Sequence, residues 1–179
     1  MSEKPSFTDV ATLRARARQH LDMGPVTPAY HPDRELVIKL LNDALATEIV
    51  CYLRYKRHYF AASGIHSQSV KDEFLEHATQ EQGHADELAK RIVELGGLPN
   101  FSPAGLLDRS HAEYVEGETL ADMLREDLVA ERIAIDSYTE MINYLGANDP
   151  TTRRVLEGIL AVEEEHADDL RSLLDGLRT

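Results

Sequence analysis

The sequence predicts an all-α protein: four long helices bundled as two antiparallel hairpins joined by a long crossover, with a short helical extension in front. Three observations carry this. Four long stretches place apolar residues at helical spacing. No stretch sustains the strict apolar–polar alternation of a half-buried strand. The links between the stretches run short, long, short, which sets the topology. At 179 residues the chain can bury one sizeable core but is small for two ordinary domains. The bundle therefore takes residues 33–179 and the extension residues 1–32.

Residues 8–21 suit a short helix bearing Arg14, Arg16 and Arg18, followed by an irregular strap, Gly24-Pro25-Val26-Thr27-Pro28. We read this extension as packing on the bundle surface, with a basic tail that touches DNA or another subunit as the alternative. The first long helix follows His31-Pro32-Asp33, is capped by Asp33, and runs through Leu36, Leu40, Leu41, Leu45, Ile49 and Leu53 towards Gly64. The second starts near Ser67, passes Val70, Phe74, Ala78, Leu88, Ile92 and Leu95, and stops at the Gly96-Gly97 signal. The third starts near Thr119, with Asp122 completing a capping-box variant, and continues to Gly146. The fourth opens at Asp149-Pro150 and ends near Gly176. Links around Gly64 and Gly146-Ala147-Asn148 are short and make antiparallel neighbours. Residues 98–118, rich in Pro, Gly and Ser, are too many for a tight turn and can carry the chain along the bundle.

Composition narrows the function classes. A formal charge of -13 argues against a general nucleic-acid surface and favours cationic ligands. The single cysteine, Cys51, cannot form an intrachain disulfide and reads as a small buried apolar residue. No apolar run reaches the eighteen or so residues that span a bilayer, and the opening Met1-Ser2-Glu3-Lys4-Pro5 lacks the apolar stretch of a secretory signal. We expect a cytoplasmic protein that does not engage a membrane.

The chemistry lies in a repeated constellation. The second long helix holds Glu81-Gln82-Gly83-His84 and the fourth holds Glu163-Glu164-Glu165-His166, each a Glu-x-x-His step. Residues three apart share a helix face, so one ion can take oxygen and nitrogen from a single helix. The other two helices each set one glutamate among apolar neighbours, Glu48 and Glu131. A buried carboxylate is costly unless paired or metal-bound, and two divalent cations would offset that cost. At roughly 1.5 Å per residue, Glu48 and Glu81 sit some 20–25 Å from the same bundle end. Counting from the second turn puts Glu131 and Glu163 at the same mid-bundle level.

The halves also match one another. Glu48 and Glu131 are 83 residues apart, Glu81 and Glu163 are 82 apart, and each lone glutamate is followed seven residues later by a tyrosine, Tyr55 and Tyr138. Two turns on, these rings share their glutamate's face and could hydrogen-bond a carboxylate on the facing helix or supply an electron. The bland alternative for Tyr52, Tyr55, Tyr59, Tyr138 and Tyr144 is ordinary core, with hydroxyls reaching the rim. One Glu-x-x-His alone would be a solvated face; the full set on this topology favours a two-metal centre with pseudo-twofold symmetry. His77 lies two turns before His84 and reads as a satisfied histidine, with an inner surface or ion path as the alternative. His31, His58, His66 and His111 read as loop or surface groups.

These residues resemble the ferritin-like superfamily, and its bacterioferritin and Dps-like branches most closely, over about residues 35–174. Two segments look bacterioferritin-like: Leu40-Leu41-Asn42-Asp43-Ala44-Leu45-Ala46-Thr47-Glu48, and His84-Ala85-Asp86 leading to Leu95-Gly96-Gly97-Leu98-Pro99-Asn100. The resemblance implies a ferritin-like bundle with two iron ions per subunit, held by Glu48, Glu81, His84, Glu131, Glu163 and His166. It makes Glu81 and Glu163 the natural bridges and leaves the roles of Glu48 and Glu131 open. Manganese or zinc could substitute; hard oxygen and borderline nitrogen donors suit iron or manganese better than copper. Haem-bearing bacterioferritins carry methionine directly after the helix-two glutamate; here it is Gln82, so no haem is expected by that mode. The sequence ends soon after His166, short of the fifth helix of 24-subunit ferritins, which with the extension favours a homo-oligomeric shell of twelve. The related archaeal Dps-like proteins often carry a cysteine pair near the site, which a chain with Cys51 alone cannot supply.

The resulting expectation is an iron-storage and detoxification protein with ferroxidase activity, oxidising Fe2+ with O2 or H2O2 inside a multi-subunit cage. A rubrerythrin-like peroxidase, or another di-metal oxidoreductase such as a manganese catalase, would use the same ligands without storing mineral. A Dps-like DNA-protecting protein would need the N-terminal arginines exposed on the shell. A purely structural bundle is disfavoured by the cost of burying four glutamates together.

Overall fold

The computed structural model describes residues 7–64 and 67–177, and among them every regular element is helical. In chain order these are α1 (Val10–Gln19), a 3-10 turn (Leu21–Met23), α2 (Arg34–Ala61), α3 (Ser67–Glu94), α4 (Leu106–Arg109), α5 (Leu120–Leu145) and α6 (Pro150–Gly176). His66 lies outside the described residues. No described helix is long and apolar enough to cross a membrane.

Each long helix starts where its local chemistry can satisfy orphan N–H groups. Asp33 accepts from the N–H groups of Glu35 and Leu36 at 3.1 and 3.2 Å. Thr119 and Asp122 form the reciprocal capping box of α5. Asp149 accepts from the Thr152 N–H at 2.9 Å, with Pro150 in the first turn of α6. The end of α3 depends on two glycines in different ways. Gly96 takes φ +81°, which only glycine adopts without strain. A Cβ on Gly97 would stand 2.7 Å from Ile38 Cγ2, so its absence lets α2 close on this turn.

Helix α2 pairs with α3, and α5 with α6, along most of their lengths; the two hairpins meet through α2–α5 and α3–α6. The long crossover is stitched to α2. Asn42 Oδ1 accepts from the Asn100 N–H at 2.7 Å, Thr47 Oγ1 accepts from the His111 N–H at 2.9 Å, and Arg54 donates to the Glu113 carbonyl at 2.7 Å. The sequence did not signal α4, which is one turn long and too short to show a period.

Two sequence expectations change. His58 is fully buried, with Nδ1 2.8 Å from Asp127 Oδ2 and Nε2 2.9 Å from the Glu116 carbonyl, so it anchors the crossover rather than lining a surface. The extension packs only in part. Val26 of the strap joins the core and Tyr30 just after it packs against the core, but α1 buries no residue.

The core comes in two large apolar clusters, with a small third one of Cys51, Ala112 and Ala130. One gathers Leu41, Leu45, Leu88, Ile92, Tyr138, Leu156 and Ile159; the other gathers Tyr55, Phe74, Ala78, Leu124 and Leu170. On each long helix the residues between these clusters include the glutamates. A polar layer thus lies at mid-bundle, between two dry ones.

Candidate metal centre

Glu48 on α2, Glu81 and His84 on α3, Glu131 on α5, and Glu163 and His166 on α6 converge in this layer. All four glutamates and His166 are 1% exposed, and His84 is 7% exposed. Their donor atoms fall into two groups, each compact enough for one ion. Glu48, Glu81, His84 and Glu163 form the first; Glu81, Glu131, Glu163 and His166 form the second. Glu81 and Glu163 belong to both. His84 Nδ1 stands 2.8 Å from Glu163 Oε1 and 3.2 Å from Glu48 Oε2. His166 Nδ1 stands 3.5, 3.6 and 3.8 Å from Glu163, Glu81 and Glu131.

The tyrosines tie the hairpins crosswise. Tyr55 of α2 donates to Glu131 of α5, and Tyr138 of α5 donates to Glu48 of α2. Each phenol uses its only proton on the outer carboxylate of the opposite half. Burial, then the neighbouring carboxylate charge, pushes both phenols well above their ordinary range.

Electrostatics make the layer unstable as a self-contained network. Burial, followed by the charges of the other glutamates, raises Glu81 and Glu163 well above the usual carboxylate range. Burial would also raise Glu131, but the nearness of His166 and Glu163 and the hydrogen bond from Tyr55 hold it down at about 2. Burial would lower His166, yet Glu131 and Glu163 lift it to about 9. Glu81 Oε1, Glu131 Oε2, both Glu163 oxygens and His166 Nδ1 are buried without a hydrogen-bond partner. Orphaned buried acceptors are costly. Here they all face one space, and the donor set is that of a carboxylate–imidazole metal site, so the residues fit a pair of divalent ions.

Gln80 escaped the sequence reading. His166 Nε2 lies 2.8 Å from Gln80 Oε1, so that nitrogen donates and Nδ1 is turned towards the carboxylates. A glutamine one residue before Glu81 carries no signal of its own, since its target sits 86 residues away. His77 is buried, stacks on His166 at 3.9 Å between ring centroids, and approaches Tyr55 Oη at 3.2 Å. Cys51 is buried, as expected.

Known proteins frame this geometry. The family described as the ferritin-like domain matches residues 38–179. A DNA protection during starvation protein of Pyrococcus furiosus is 33% identical over 147 residues, 80% of each chain. A bacterioferritin of Brucella melitensis is 31% identical over 142 residues, covering 78% of this chain and 83% of that one. Among solved structures, the dodecameric thioferritin of Bacteroides fragilis, a bacterioferritin-related protein, superposes with a TM-score of 0.79 at 33% identity, over 82% of this chain and 88% of that one.

Proposed function

The chain belongs to the ferritin-like family, and from that premise we propose that it oxidises Fe2+ at the six-residue centre and stores the ferric product inside a shell of twelve copies. The observation that carries the reading is the pair of four-donor groups sharing Glu81 and Glu163. Two ions there would supply together the two electrons that O2 or H2O2 takes, so no one-electron oxygen radical need leave.

The chain's own residues prepare that step. Glu81 and Glu163 belong to both donor groups and would be shared by the two ions. Glu48 and His84 would complete the hold on one ion, Glu131 and His166 on the other. Tyr138 and Tyr55 hold the outer carboxylates in place by donating to them, and Gln80 fixes the His166 ring. The flanking apolar clusters limit water, which strengthens every charge interaction within the layer. The dodecameric thioferritin supports twelve copies here.

Glu81→Ala and His84→Ala should each abolish rapid Fe2+ oxidation, followed by absorbance under excess O2 or H2O2, while the assembly stays intact by light scattering. Wild-type rates would sink the assignment. A second reading, DNA protection, is favoured by the relative's name and by Arg14, Arg16 and Arg18, which α1 exposes. A gel shift at low and moderate salt tests it: binding through these arginines weakens steeply with salt.

A further inference from the structure

His77 extends the centre towards solvent on one side only. Tyr55 spends its proton on Glu131, so at the 3.2 Å contact His77 Nδ1 must donate to the phenol oxygen. In the neutral ring this leaves Nε2 with its lone pair. That lone pair faces two carboxylates, Glu73 Oε1 at 3.2 Å and Asp169 Oδ2 at 3.9 Å. An imidazole nitrogen and two carboxylates meeting this closely make a donor set that suits a divalent cation. The imidazole is 2% exposed, whereas Glu73 and Asp169 are 29% and 44% exposed, so the trio runs from the surface inwards.

The donors then overlap stepwise. Glu73, His77 and Asp169 lie close enough to share an ion, as do His77, Glu131 and His166, and as do Glu81, Glu131, Glu163 and His166. His77 belongs to the first two groups, and Glu131 and His166 to the last two. The opposite half lacks this path. Counting 82 residues on, as from Glu81 to Glu163, the counterparts of Glu73 and His77 are Val155, packed against the apolar core, and Ile159, within it. Neither polar residue of this α3 pair therefore has a polar counterpart on α6.

We propose that Glu73, His77 and Asp169 form a third divalent-cation site, and that it relays Fe2+ between solvent and the dinuclear centre. The proposal rests on the reading of that centre given above. Because His77 touches the tyrosine and histidine of the centre, the test uses the two outer carboxylates, Glu73→Gln with Asp169→Asn. Crystals of the wild-type assembly soaked with Zn2+ alone should show three anomalous peaks per chain. The third should have His77 Nε2 and the two carboxylates at about 2.0–2.2 Å. The double variant should keep the central two and lose the third. Its initial rate of Fe2+ oxidation at limiting Fe2+ should fall several-fold, with the amount oxidised in a single turnover unchanged. Two central peaks without a third in the wild type, a third peak that survives the double substitution, or an unchanged rate at limiting Fe2+ overturns the relay alone. Absence of the central pair overturns the reading of the centre, and the relay with it.

Discussion

Individual side chains define the centre, and its metal-free state carries a measurable cost. Burial and neighbouring carboxylates raise Glu81 and Glu163 well above the ordinary carboxylate value of 4.5, and Glu131 and Glu163 lift His166 to about 9, so these groups hold their protons to higher pH than free side chains do. An incoming ion must displace them. Metal binding should therefore release protons and tighten as pH rises; calorimetry in two buffers of different ionisation heat measures the release, and zero release would contradict it. The linkage has the same sign for folding. Where the folded chain holds more protons than the unfolded one, stability falls as pH rises. The melting temperature of the metal-free protein should drop between pH 4.5 and about 9, and saturating metal should flatten that trend. The meeting of the centre's six side chains was legible in the sequence because glutamate and histidine recur at fixed helical offsets in matched halves. Gln80 was not, because its partner comes from another helix; His77 was read as a satisfied histidine with an ion path as the alternative, and the partners that bear on that choice lie partly on other helices.

Elements hold the layer level, and their caps and crossings fix its height. Thr119→Ala removes the side-chain half of the α5 capping box and should cost about 1 kcal/mol in denaturant unfolding. A deeper anchor joins α2, α5 and the crossover. Arg54 donates to Asp127 at 2.8 Å, and His58 meets the other oxygen of the same carboxylate. Asp127 is fully buried, so Asp127→Asn leaves two cationic or polar partners short of a charge and should cost about 3–5 kcal/mol. A loss below about 1 kcal/mol in the same assay would place this network outside the stability of the fold. Caps and breaks at Asp33, Gly96, Thr119 and Asp149 were readable because they act locally. The Arg54–Asp127–His58 network was not, since charged residues on a helix ordinarily face water and nothing in α2 announces a partner 73 residues on. The single turn of α4 escaped for a different reason: one turn has no periodicity to detect.

At the scale of the molecule, link lengths alone settled the order of the hairpins, and the two apolar clusters explain why the polar layer falls between them. The extension shows the limit of that reasoning. Its composition predicts packing on the bundle, but α1 leaves its apolar residues Val10 and Leu13 exposed along with its arginines. A contact between copies would cover such a face, and the proposed shell supplies copies. Deleting residues 1–32 should reduce the assembled fraction in light scattering if α1 covers a neighbour; an unchanged twelve-subunit mass would show that it does not. The most direct test of the whole reading is iron-edge anomalous diffraction from crystals soaked with Fe2+ without oxygen. Two peaks about 3.5–4 Å apart should appear between Glu81 and Glu163, one beside Glu48 and His84 and the other beside Glu131 and His166. A single peak there, or none, would contradict the dinuclear centre.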